Sequence, residues 1–238
     1  MSQLGSPHLH FSSIGSTNDR ARELADAGAP HGTLVSADEQ SSGRGRQGRE
    51  WVAPPGSSLL ISLLLREPPP LLALVAAVAV AEVCGPAAKI KWPNDILLGV
   101  EEAPAGKVAG ILCEARPQEN WAIVGVGLNV ALDLAQLPSE LRGRAATLGL
   151  RSQQRAQVLE RLVDQFEQAL TLPDEEILTL WQRRDALLGK EIGWSEGELV
   201  ASGTALGVSA SGSLRVRRED GSELELSAGE VHLTAAGS

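Results

Sequence analysis

The sequence is poor in the features that mark several common functions. It holds two cysteines, Cys84 and Cys113, without metal-like spacing, and four scattered histidines that form no ligand cluster. Both cysteines lie in apolar surroundings and read as small buried hydrophobes. Basic residues are outnumbered, 21 against 30, for a net charge of −9. A general nucleic-acid binder, which gains affinity by neutralising phosphates, is disfavoured by that balance. The longest apolar stretch, Leu71 to Val83 with Glu82 near its end, is too short to cross a bilayer core. No basic segment followed by an apolar core opens the chain, so a cytoplasmic protein is expected. No Gly-Lys is followed by Ser or Thr, which removes the P-loop, and there is no repeat or low-complexity tract.

What the chain does have is concentrated at Gly43-Arg44-Gly45-Arg46-Gln47-Gly48-Arg49. Glycines let a backbone approach a ligand closely. Arginines present rigid donor forks that match phosphate and carboxylate oxygens. In an acidic protein this local cluster reads as an anion site whose order depends on a ligand, so the loop from about Ser41 to Glu50 is expected to be mobile without one. The same residues spell a G-x-G-x-x-G, with Glu67 downstream as a ribose-binding acid. That dinucleotide reading needs a helix at the turn. Trp51 to Gly56 instead holds two prolines and a glycine, leaving no room for a crossover helix of about ten residues.

Around the loop, the pattern predicts a capped helix after Ser16-Thr17-Asn18-Asp19, ended by Gly28. It predicts strands at Thr33 to Ala37, Ser57 to Leu65, Lys89 to Lys91, Val108 to Glu114 and Ala122 to Val130. A buried helix spans Leu71 to Val83, and Gly99 to Gly106 reads as a hairpin connection. Two amphipathic helices follow. One runs from Gln154 to Leu170 with Val158, Leu159, Leu162, Val163, Phe166 and Leu170 inward. The other runs from Asp174 to Leu188 with Ile177, Leu178, Trp181 and Leu188 inward and Gly189 as its stop. Beyond Lys190 come short strands at Glu198 to Leu206, Ser213 to Arg217, Glu223 to Leu226 and Glu230 to Leu233, with Asp220-Gly221 as a hairpin turn. The chain therefore divides into 1–188, an α+β domain with a mixed, largely antiparallel sheet flanked by helices, and 189–238, a small all-β module packed on it.

Several segments carry polar groups in unusual company. Lys91-Trp92-Pro93-Asn94-Asp95 presents a cation, an indole, an amide and a carboxylate at a strand end; taken alone it is also ordinary turn chemistry. Lys107 stands at the mouth of an apolar strand, where surface lysines are common, and Gly110 within that strand suggests a close approach. Asn129 lies among apolar residues and must find partners. Ser16-Thr17-Asn18 alone is no more than a helix cap.

Together and in this order, Ser16-Thr17-Asn18, Gln40 with Gly43 to Arg49 and Trp51, Lys91 to Asp95, Gly106 to Leu112 and Gly125 to Val130 resemble the biotin protein ligases. The resemblance spans roughly residues 12 to 150, and continues more loosely to Gly229-Glu230-Val231. It implies a class II synthetase-like catalytic domain followed by an SH3-like barrel. It implies ATP and biotin as substrates with Mg²⁺, a biotinyl-5′-adenylate intermediate, and transfer to one lysine of a biotin carboxyl carrier domain. Catalytic roles are implied for Arg44 and Lys107. Biotin contacts are implied for Ser16, Thr17, Asn18, Gln40, Gly43, Arg44, Arg46, Lys107 and Gly110. Contacts to ATP or the adenylate are implied for Arg44, Arg46, Arg49, Trp51, Asn94, Asp95 and Asn129, with Asp95 also placing Mg²⁺. Relatives in this family occur as monomers and homodimers, and both remain open. Many carry an N-terminal winged helix and act as repressors; only fifteen residues precede Ser16, so repressor activity is not expected, nor a nucleic-acid or membrane partner. A lipoate-type ligase on the same fold and a non-catalytic biotin or nucleotide sensor are the alternatives.

Overall fold

The computed structural model describes residues 4–99, 105–196, 199–227, 229 and 231–233. The connection expected between Gly99 and Gly106 falls mostly outside them, as do Glu198 and Glu230 at the starts of two expected strands.

Near-continuous apolar runs form the centre of a seven-stranded sheet: β3 (Ser58–Arg66), β6 (Gly106–Arg116) and β7 (Trp121–Asn129). On one side lie β2 (Leu34–Ala37) and β1 (His8–Phe11), on the other β5 (Asp95–Leu98) and β4 (Lys89–Lys91). The order is β1-β2-β3-β7-β6-β5-β4. β1 and β2 pair parallel across a connection that contains α1 (Thr17–Asp26), and the other neighbours pair antiparallel. The mixed, largely antiparallel sheet is thus the one expected. β1 and β5 lack a clear apolar signature, and β5 is hidden in what reads as a turn after Pro93.

Both faces of the sheet are covered, which is why its strands are apolar rather than alternating. α1 packs Ala21 and Ala25 against Val35, Leu64, Trp121 and Ile123. The other face carries α2 (Leu72–Cys84), in contact with the sheet, with α4 (Arg155–Thr171) and with α5 (Asp174–Arg183). Enclosure on several sides explains why α2 has no polar stripe. A short turn, α3 (Ser139–Arg142), lies between β7 and α4. On α4, Val158, Leu162 and Phe166 are buried, with Leu159, Val163 and Leu170 partly so.

The second amphipathic helix ends earlier than its pattern suggests, at Arg183 instead of Leu188. The Arg184 guanidinium binds Glu82 at 2.7 Å and the carbonyls of Gly85 and Ala88. The following backbone then joins β4: Ile90 N–H donates to Arg184 O (2.7 Å) and Ala186 N–H to Ile90 O (2.8 Å). These bonds replace another helical turn and leave Leu188 54% exposed instead of inward. Gly189, at φ 73°, therefore sits in a turn closed by Lys190 N–H to Leu187 O (2.9 Å) and caps no helix.

The C-terminal strands β8 (Glu191–Glu196), β9 (Leu199–Val208), β10 (Leu214–Arg217), β11 (Glu223–Leu226) and β12 (Val231–Leu233) form one antiparallel sheet, ordered β11-β10-β9-β8-β12. The Asp220-Gly221 turn joins β10 to β11 as expected, with the Asp220 carboxylate accepting from Ser222 N–H at 2.8 Å. β11 and β12 are not paired among the described residues, so the expected barrel does not close. Ile192, Trp194, Ala205, Leu214 and Val216 share one apolar core with the large sheet. The Trp92 indole N–H donates to Gly212 O at 3.2 Å, joining the small sheet to the strand end that carries Asn94 and Asp95.

Candidate functional site

At the start of α1 the sequence reads as a side-chain cap, yet the Ser16 hydroxyl makes no cap bond. Ser16, Thr17 and Asn18 are all buried, and they face a cavity instead. Thr17 donates to Gln40 Oε1 through its backbone N–H (2.7 Å) and its hydroxyl (2.9 Å). The Ser62 hydroxyl, on β3, lies 2.8 Å from Thr17 Oγ1 and 2.5 Å from Asn18 Oδ1. Asn18 Nδ2 donates to Glu114 Oε2 at 2.7 Å. One wall is therefore a chain of oriented neutral polar groups ending on a carboxylate.

The floor is made by β6 and β7, where Gly110 pairs with Gly127 and Leu112 with Gly125. A Cβ at Gly125 would collide with the Asn18 amide, and one at Gly127 would sit 2.5 Å from the Trp51 indole. At Gly110 it would meet both the Trp51 ring and Lys107 Cε at 2.9 Å. The three glycines are required by close approach.

The glycine-arginine loop forms the opposite wall. Gly45 N–H donates to Arg49 O (2.7 Å) and Trp51 N–H to Gly43 O (2.9 Å), and Arg44 forms an isolated bridge with Glu50. The segment thus closes on itself as a small hairpin. A Cβ at Gly43 would fall 2.7 Å from Trp51 O, so that position too is sterically fixed. Trp51 lies over the glycine floor, and its indole N–H is buried without an acceptor among the described residues. Lys107 Nζ stands 5.4 Å from that ring and 2.7 Å from Asp95 Oδ1.

Of the expected residues, Ser16, Thr17, Asn18, Gln40, Arg44, Arg46, Arg49, Trp51, Asn94, Asp95, Lys107 and Gly110 line this one cavity of about 140 Å³. Three expectations need correction. Gly43 does not line it, and neither does Asn129. Its amide accepts from Ser58 (3.1 Å) and donates to Ala146 O (2.9 Å), so it braces β3 and the segment after β7 and has no group turned to a ligand. Asp95 is committed to Lys107, and among the described residues no group of three or more His, Cys, Asp or Glu could hold a metal. The donor set does not fit a resident Mg²⁺, and any Mg²⁺ would arrive with the nucleotide substrate. Ser62 and Glu114 are not legible in the sequence, since a serine in an apolar strand and an acid near a strand end carry no signal until the fold brings α1 beside them.

Beside this cavity a second, of about 400 Å³, lies between the start of α2, β6 and the C-terminal sheet. Cys113 lines it; both cysteines are free and half-buried, less enclosed than expected. Burial pushes the Cys113 thiol up to about 12. It therefore stays protonated at neutral pH and is a poor nucleophile toward any activated acyl group next door.

The model of the biotin/lipoate A/B protein ligase family matches residues 11–130. The chain is 34% identical over 237 residues to the bifunctional ligase/repressor BirA of Bacillus spizizenii, covering 92% of this chain and 71% of that protein. It is 45% identical over 130 residues to the biotin–[acetyl-CoA-carboxylase] ligase of Paracoccus denitrificans, covering 49% of this chain and 51% of that one. Among solved structures, the biotin protein ligase of Aquifex aeolicus in complex with biotin and ATP superposes with a TM-score of 0.77 at 28% identity, covering 96% of this chain and 100% of the other.

Proposed function

The chain belongs to the biotin/lipoate A/B protein ligase family, and from that premise we propose that it joins biotin to a lysine of a biotin carboxyl carrier domain at the expense of ATP, through biotinyl-5′-adenylate. The observation that carries this reading is the convergence of Arg44, Arg46, Arg49 and Lys107 on a cavity whose other wall carries the neutral Gln40, Thr17 and Asn18, with Ser62 joining Thr17 to Asn18 from behind. Four cations suit two anions that must meet; a neutral donor-acceptor wall suits a ureido ring.

In the first step the biotin carboxylate attacks the α-phosphorus of ATP, the bond to the bridging oxygen breaks, and pyrophosphate leaves. Charge gathers on the α-phosphoryl oxygens, and Lys107, Arg44 and Arg46 are its stabilisers, with Arg49 toward the outer phosphates. Asp95 orients Lys107 by one of its three N–H bonds and leaves two for the substrates. Trp51 covers the nucleotide, and Gly110 and Gly127 give its indole clearance against the sheet. In the second step the acceptor lysine amine attacks the acyl carbonyl and AMP leaves. The loop excludes water from the mixed anhydride in between.

The test is incubation with MgATP, biotin and a carrier domain, probed with streptavidin, alongside a lipoate arm. Biotin transfer without lipoate transfer is expected. Absence of both biotin transfer and biotin-dependent pyrophosphate exchange overturns the assignment, and lipoate transfer alone redirects it. The proposal is confined to ligation: with a net charge of −9, a specific gel shift on a biotin-operon promoter would contradict it. Two variants probe the walls. Gly125→Ala drives a methyl into the Asn18 amide. It should weaken biotin binding about tenfold or more, as an overpacked contact of 1–3 kcal/mol does, read by calorimetry. Arg44→Ala should speed loss of the adenylate from the enzyme in a filter-retention assay; unchanged retention would remove the loop's closing role.

A further inference from the structure

The loop arginine is engaged by carboxylates of the protein itself. Arg44 Nη2 bonds to Asp19 Oδ1 and lies 4.0 Å from Glu114 Oε1. Arg22, one helical turn along α1, touches the same two oxygens: 2.8 Å to Asp19 Oδ1 and 2.7 Å to Glu114 Oε1. Two guanidiniums thus share two carboxylates, and the group is neutral as a whole. The members are not equally fixed. Arg22 and Glu114 are 27% and 30% exposed, Arg44 and Asp19 42% and 43%. If Arg44 turns toward a phosphate, Arg22 stays bonded to both acids and the one unbalanced negative charge falls at Asp19, which is 43% exposed, so departure leaves no buried unpaired charge.

The placement is what gives this cluster a role. The loop from Gly43 to Trp51 is bonded to itself, and Arg44 fastens it across the cavity to α1 and β6. Asp19 does not line the cavity, so it acts from behind Arg44. Glu114 uses its other oxygen to accept from Asn18, which is bonded to Ser62 and through it to Thr17 and Gln40. The acids therefore sit between the polar wall and the lid.

We infer that Asp19, backed by Glu114, is a positioning residue that straps the Gly43–Trp51 loop shut through Arg44, and so governs how long an activated acyl intermediate is retained. The part concerning retention rests on the ligase reading; the strap itself does not. Asp19→Asn keeps the size and an acceptor oxygen but removes the charge.

In ligand-free protein, amide hydrogen exchange across Arg44 to Glu50 should quicken by about threefold, the scale of one partly exposed ion pair. Asp19→Glu should restore most of the protection, and Arg20→Ala, which breaks the neighbouring Arg20–Glu23 pair, should change nothing in the loop. Release of biotinyl-adenylate should rise by a similar factor in Asp19→Asn. Combined with Arg44→Ala, it should add nothing further, because both variants break one contact. Additive effects, or unchanged loop exchange in both Asp19→Asn and Glu114→Gln, overturn the strap. If loop exchange rises but no adenylate ever forms, the strap stands and the ligase reading falls.

Discussion

Replacing Lys107 by alanine should lower the rate of adenylation by a hundredfold or more, with little change in protein stability. The side chain stands at the start of β6, with its ammonium held 2.7 Å from Asp95 and 5.4 Å from the Trp51 ring. It is preorganised: its donors already point into the cavity before charge develops there, so no reorganisation is needed at the transition state. Losing one such donor typically costs two to three powers of ten, about 2.7–4 kcal/mol. The Lys107 side chain is 35% exposed, so the folded state should survive. Biotin-dependent exchange of labelled pyrophosphate into ATP is the measurement. An unchanged exchange rate would remove Lys107 from the reaction. Asp95→Asn should show a smaller loss in the same direction, because the lysine would remain but wander.

The second large effect concerns folding. Phe166→Ala should destabilise the protein by about 3–5 kcal/mol, the range for deleting a buried aromatic ring. Phe166 on α4 is 1% exposed, in the core that also contains α2 and the C-terminal sheet. Urea unfolding should show a lower midpoint with a similar slope. A loss below 1 kcal/mol would mean that α4 is not bound into that core. Since the small sheet shares the cluster, the two parts should unfold in one transition in this variant as in the parent.

Much of the site could be read from the chain because its residues are locally incongruous. Arginines between glycines, a lysine opening an apolar strand and a Lys-Trp-Pro-Asn-Asp run each break the pattern around them, and each arrives at the cavity. What could not be read are partnerships across long separations. Asp19 and Glu114 look like ordinary surface acids until α1 is laid beside β6. Asn129 was expected to reach a nucleotide because an amide in an apolar strand needs partners. The fold supplies them from Ser58 and Ala146. The same competition shortened α5, where a strand-like hydrogen bond to Ile90 was available and a further helical turn would have forgone it. β1, at the sheet edge, and β5, between β6 and β4, are not visible in the pattern because strands four residues long carry too little alternation to be seen.

The position of Trp51 has an optical consequence. The chain has five tryptophans and no tyrosine, so its near-ultraviolet emission comes from indoles alone. Trp92, Trp121, Trp181 and Trp194 are at most 4% exposed in the packed interior. Trp51 is the partly exposed one, resting on bare glycine backbone beside a cation. A change in emission when the cavity fills would therefore report the two indoles that line it, Trp51 on the lid and the buried Trp92 opposite, without any label.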